Sequence, residues 1–152
     1  MNNKKIEFSN AKMIEGIIKS VDAISKTLGP KGSCVAIQNS WGNPEITRDG
    51  VTVSKSISFK DPAMNMGAQL VKSAATKTEE QAGDSTSSTS ILIKEMVTKG
   101  QRYLKDGYNL NEIKDGMEKM SVWVKDFIKT NSIQVDGDLE KIRKVATISA
   151  NN

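Results

Sequence analysis

A chain of 152 residues, 37% hydrophobic and 26% charged, is long enough for one domain with a real core and too apolar for a disordered one. Its 22 basic and 18 acidic residues leave a net charge of +4 spread along the whole length, with no basic block, aromatic interleaving or zinc-finger spacing, so nucleic-acid binding has little support. There is no His, which removes Ser-His-Asp and Cys-His catalysis within the chain, and the lone Cys34 permits no internal disulfide and suits a reducing compartment.

The basic start Met1-Asn2-Asn3-Lys4-Lys5-Ile6 leads into no apolar stretch. No run of about 18 apolar residues follows, so neither a secretory signal nor a membrane span is expected and the location expected is cytoplasmic. Ser9 is placed to cap a helix whose apolar residues Ile14, Ile17, Ile18, Val21, Ile24 and Leu28 recur at intervals that keep them on one face. Gly29-Pro30 ends it, glycine serving the C-cap and proline unable to continue. Cys34-Val35-Ala36-Ile37, a turn at Trp41-Gly42-Asn43-Pro44 and Glu45-Ile46-Thr47 read as a short hairpin rather than core sheet. Asp49-Gly50 breaks the strand and introduces Val51 to Ser56, a short helix or more strand.

Asp61-Pro62 is a helix start, with Asp at the cap and Pro at the first helical position. Met66, Leu70, Val71 and Ala74 form the expected apolar stripe of this helix, which fades near Gln81-Ala82-Gly83. From about Thr86 the next helix is expected to carry Ile91, Leu92, Met96 and Val97 inward and to end near Asp106-Gly107. Asn109 caps another, with Ile113, Met117, Met120, Val124, Phe127 and Ile128 on one side. Asp136-Gly137 turns the chain into a last short helix, Leu139 to Val145. The fold class is mainly α: four long amphipathic helices, one hairpin and one short terminal helix, without internal repeat. Aromatics make up only 5%, so Ile, Val, Leu and the seven Met must fill the interior.

Three turns carry possible chemistry. In Ala82-Gly83-Asp84-Ser85-Thr86-Ser87-Ser88-Thr89-Ser90 one carboxylate precedes six hydroxyls at the start of a helix. Asp84 offers a hard oxygen ligand for magnesium, and a helix N-terminus offers free N–H groups to phosphate; the same residues also serve as ordinary helix caps. Thr27-Leu28-Gly29-Pro30-Lys31-Gly32 is a rigid turn where a ligand can approach the backbone, or a plain helix stop. Asp49 in Ile46-Thr47-Arg48-Asp49-Gly50 stands at a strand end where it can position a water or metal, or simply make an Asp-Gly turn.

Five segments in order, Thr-Leu-Gly-Pro-Lys-Gly, Ile-Thr-Arg-Asp-Gly-Val-Thr-Val, Asn-Met-Gly-Ala-Gln-Leu-Val, Ala-Gly-Asp-Ser-Thr and Thr-Ile-Ser-Ala-Asn, closely resemble the N-terminal part of a group I chaperonin of the GroEL family. The resemblance runs from about Phe8 to Asn151. It implies a multihelical half of the equatorial, ATP-binding domain with a small β-hairpin over residues 1–133, followed by the start of the intermediate, hinge domain at 134–152. It also implies that Thr27, Leu28, Gly29 and Pro30 lie against the nucleotide. Asp84 would hold Mg2+, Ser85, Thr86, Ser87 and Ser88 would wrap the phosphates of ATP or ADP, and Asp49 would orient the attacking water as the catalytic residue. Thr27, Arg48 and Ser87 stand where the family places oxygens associated with K+. Phosphoryl transfer asks mainly for such positioning and charge stabilisation. There is no Walker A pattern.

The implied partners are other chaperonin subunits in a ring homo-oligomer, with a co-chaperonin and unfolded clients engaged through domains outside these residues; neither nucleic acid nor membrane is expected. Two departures stand out. The family usually has Gly where this chain has Ser85; a left-handed backbone there would cost a Cβ-bearing residue about 1–2 kcal/mol, so Ser85 is expected instead as an extended helix cap. Arg48 replaces the usual Lys. The second aspartate on which the family's hydrolysis depends has no counterpart here, so poor hydrolysis by a fragment and exposed apolar helix faces, prone to self-association, are expected. The competing reading is a non-catalytic nucleotide-binding or capping module that completes or regulates a chaperonin assembly.

Overall fold

The computed structural model describes residues 10–29, 31–38 and 42–149. Their order is α1 (Asn10–Ser25), β1 (Val35–Ile37), β2 (Glu45–Thr47), α2 (Gly50–Ser56), α3 (Pro62–Ala82), α4 (Thr86–Lys105), α5 (Leu110–Asn131) and α6 (Leu139–Ser149). The expected mainly α class with one small hairpin is what is found; the proposed cap at Ser9 lies outside the described residues. They group into two compact units that divide between Lys99 and Gly100.

In the first unit α1 lies along α3, with α2 against both. Ile17, Val21, Ile24, Val53 and Val71 form the buried core, and Val35, Ile37, Ile57, Ile91, Ile93 and Val97 pack against it. Each fully buried aliphatic side chain of this kind contributes about 1.5–3 kcal/mol. The stripe read on α1 supplies three of the five. Its Leu28 end is exposed, because the chain has already turned out of the helix.

The stripe of α3 is a correction. Gly67, Ala68, Val71 and Ala75 are buried, whereas Met66 and Leu70 are 39% and 49% exposed. The crossing with α1 selects the small residues: a Cβ on Gly67 would lie 2.0 Å from the Met13 carbonyl oxygen, and one on Gly16 2.1 Å from that of Met64. Two backbones in contact leave no room for a large side chain between them.

A second correction concerns α4. Thr86 and Ser90 are buried and continue the inward line through Ile93 and Val97, while Leu92 and Met96 are exposed. The inward face begins with hydroxyls, and Ser90 remains satisfied because its hydroxyl donates to the Thr86 carbonyl at 2.9 Å.

β1 and β2 pair antiparallel, Val35 opposite Thr47 and Ile37 opposite Glu45. The segment left open between helix and strand is the helix α2, started by Asp49.

In the second unit α5 is capped by Asn109, as the sequence leads one to expect, and Glu112 completes a capping box with it. It has no buried residue. α6 runs to Ser149, beyond the expected end at Val145. No helix among the described residues is long and apolar enough to cross a membrane.

Candidate functional site

Three segments far apart in sequence meet at Thr27, Gly50 and Ser87. Thr27 follows the last turn of α1, where its hydroxyl donates to the Ile24 carbonyl at 2.8 Å. With that proton committed, Ser87 donates across to Thr27 Oγ1 at 3.2 Å, joining the first turn of α4 to the end of α1. Gly50 opens α2 directly against this pair. A Cβ there would stand 2.4 Å from Ser87 Oγ, which would have to turn away from it, and 3.5 Å from Thr27 Oγ1. Gly50 belongs to the Asp-Gly turn seen in the sequence, but its contact with two distant hydroxyls leaves no sequence signal.

Asp49, next to this contact, is the N-cap of α2. Val51 and Thr52 N–H donate to its Oδ1 and Oδ2 at 3.2 and 2.9 Å, and the Thr52 hydroxyl also donates to Oδ2. Burial works to raise the Asp49 carboxyl, but the Thr52 hydroxyl, the two amides and the charge of Lys55 together hold it below the ordinary carboxylate range. Thr52 was not among the residues singled out from sequence; its spacing of three from a capping Asp is the available signal.

Gly83 closes α3 in the left-handed conformation at φ 73°. Ser85 is left-handed as well, at φ 75°, and is the non-glycine residue with positive φ among the described residues. This overturns the expectation of an extended cap. The Ser85 N–H turns toward the Asp84 carboxylate, and its own carbonyl accepts the first helical bond of α4 from Thr89 at 2.9 Å. Within the wrapping run, Thr86 is buried, Ser87 half-buried, and Ser85 and Ser88 are exposed.

Leu28, Gly29, Arg48 and Asp84 are exposed, and Pro30 lies outside the described residues. The structure therefore joins Thr27 to Ser87 and sets Asp49 beside them through Gly50. It gives the Arg48 side chain no hydrogen-bonded place in that cluster.

No group of three or more acidic, Cys or His residues that could hold a metal occurs among the described residues. A single exposed carboxylate at Asp84 suits magnesium, which keeps most of its waters and takes its other ligands from phosphates. The exposed hydroxyls of Ser85 and Ser88 that follow Asp84 are groups that can donate to phosphate oxygens. The residues present fit a magnesium–nucleotide group.

The fold has a counterpart among solved structures. A crystal structure of a group III chaperonin in the open state matches 86% of this chain with a TM-score of 0.72 and 24% sequence identity. This chain spans about a quarter of that protein, 26% of its length. The sequence model of the TCP-1/cpn60 chaperonin family matches residues 21–152. That range takes in all three turns and every helix from the end of α1 onward, and on this ground the chain belongs to the TCP-1/cpn60 chaperonin family.

Proposed function

We propose that these residues form one wall of a magnesium–nucleotide site that serves ATP-dependent protein folding by a chaperonin. The observation that carries the reading is the meeting of Thr27, Gly50 and Ser87, which brings all three turns of the family pattern to one place. Asp84 holds Mg2+. Thr27, Leu28, Gly29 and Pro30 line the nucleotide, and the amides of Thr86, Ser87 and Ser88 with the hydroxyls of Ser87 and Ser88 receive phosphate oxygens. Thr86 contributes backbone only, since the residue is turned inward. Oxygens near Thr27 and Ser87, with Arg48 adjoining, serve K+. Residues 1–133 act as equatorial domain and 134–152 as the start of the hinge, in an assembly of like subunits of the group I type in the cytoplasm.

One observation favours the second reading, a module that binds nucleotide without turning it over. Both Asp49 oxygens accept the hydrogen bonds that cap α2, so this carboxylate is already occupied in holding the start of that helix. The deciding experiment is isothermal titration of magnesium-ATP onto the chain, with Asp84→Ala as control. Heat that disappears with Asp84→Ala supports the site; binding indifferent to that substitution overturns it. Steady-state hydrolysis by the same protein then separates the two readings.

A further inference from the structure

We infer that the ion pair between Asp22 and Lys94 is a latch that holds α4 in place on α1 when nucleotide occupies the site, which makes both of them positioning residues for Ser87. The inference rests on the nucleotide reading above. Among the described residues α4 makes two polar links to earlier elements, and both reach α1 or the turn just after it. The Ser87 hydroxyl donates to Thr27 Oγ1, and the Lys94 ammonium donates to Asp22 Oδ1. Lys94 follows Ser87 by seven residues, about two turns of helix, so the two project from one side of α4. Asp22 stands in the last turn of α1, which has no basic residue of its own. The helix dipole disfavours a carboxylate there and favours a cation. Lys94 supplies that cation from another helix. With its side chain 30% exposed, it is the most covered cation among the described ion pairs.

Nucleotide affects the two links differently. A hydroxyl has one proton to donate. That of Thr27 goes to the Ile24 carbonyl, so its link to Ser87 depends on the Ser87 proton. A phosphate oxygen bound by the Ser87 hydroxyl takes the same proton, and Thr27 then has nothing to accept. Lys94 and Asp22 remain as the polar tie between the helices. Apolar packing through Ile91, Ile93 and Val97 is non-directional, which leaves the register of α4 on α1 to this pair. The pair therefore contributes more in the bound state than in the free one. Breaking it weakens binding, and by reciprocity nucleotide strengthens it.

The test is titration of the full chain with magnesium-ADP, followed by the amide NMR signals of Thr27 and Ser87. The proteins compared are wild type, Asp22→Ala, Lys94→Met, the double variant of these and Asp84→Ala, each also melted without nucleotide. Asp22→Ala and Lys94→Met are each expected to bind about two- to fivefold more weakly than wild type. The double variant should bind no more weakly than either, since all three lose one interaction. Single variants that change only the melting temperature overturn the inference, because a tie of purely structural value predicts that result. So do opposite effects of the two, weaker binding by Lys94→Met and tighter by Asp22→Ala, which the bare field of each charge on an anionic ligand would produce. Failure of the nucleotide reading looks different: Thr27 and Ser87 do not respond in wild type, or respond equally in Asp84→Ala.

Discussion

The two units are built from the same kind of helix and use it in opposite ways. α1 and α5 are both strongly amphipathic, each with an apolar residue every third or fourth position. In the first unit that face is closed: Val21 and Ile24 are 1% and 0% exposed. In the second, Trp123 and Phe127 stack at 5.3 Å on the same side of α5 and remain 59% and 52% exposed. Every buried side chain among the described residues lies between Gly16 and Ser90. An amphipathic pattern thus tells which side of a helix seeks cover and says nothing of what supplies it. Stability should accordingly be concentrated in the first unit, and substitutions can test that.

The largest effect is expected from Ile24→Ala. The side chain is fully buried in the core and also borders the Gly50 contact, with Cγ2 3.6 Å from where a Gly50 Cβ would be. Its truncation should cost about 2–5 kcal/mol in urea unfolding followed by circular dichroism. A loss below about 1 kcal/mol would mean that the core is not where the stability resides.

Gly67→Ala comes next, at about 1–3 kcal/mol, because the new Cβ meets the backbone of α1 and the two helices must move apart. A neutral result would show that the α1–α3 crossing is looser than its geometry.

Much of this was readable in advance, and the failures share one cause. Caps were legible because they depend on one local side chain: Asp61 before Pro62, Asn109 before Leu110, and the break at Asp49-Gly50. The α1 stripe was legible because large aliphatics at helical spacing have few other uses. The inward faces of α3 and α4 were misread at Met66, Leu70, Leu92 and Met96 because size was taken as the sign of burial. On α3 the buried face is small because a neighbouring backbone touches it; on α4 it starts with Thr86 and Ser90, and the Ser90 hydroxyl is satisfied within the helix by the Thr86 carbonyl. Of the site, the residues of the three turns could be named from their order, and Thr27 and Ser87 do meet. The left-handed Ser85 could not be read, since its φ is imposed by the loop between Gly83 and Thr86 and contradicts the preference of serine itself.

Asp49→Ala should have a smaller effect than either core change. Loss of an N-cap costs about 0.5–2 kcal/mol, and the exposure of this carboxylate favours the lower half of that range. The pH dependence has a definite sign. Its carboxyl is held below the ordinary range in the folded protein, so the charged form contributes stability above pH about 4, and that contribution fades as pH falls through the folded value. Asp49→Asn should therefore be less stable than wild type at pH 7, and the gap should narrow toward pH 3. A gap independent of pH would assign the difference to packing rather than charge.

The smallest expected effect is also the most informative about the second unit. Phe127→Ala removes a large aromatic, a change that costs about 3–5 kcal/mol in a core. On the half-exposed face of α5 it should cost no more than about 0.5 kcal/mol, chiefly the stacking on Trp123 lost within the helix. The same substitution should lower binding of the dye ANS, since Met120, Trp123, Val124, Phe127 and Ile128 present one exposed apolar face. If the loss is instead core-sized and depends on protein concentration, the face is covered in solution by another copy of the chain. The contrast between the units would then be one of partner and not of strength, with the second unit drawing from association the burial that the first finds within itself.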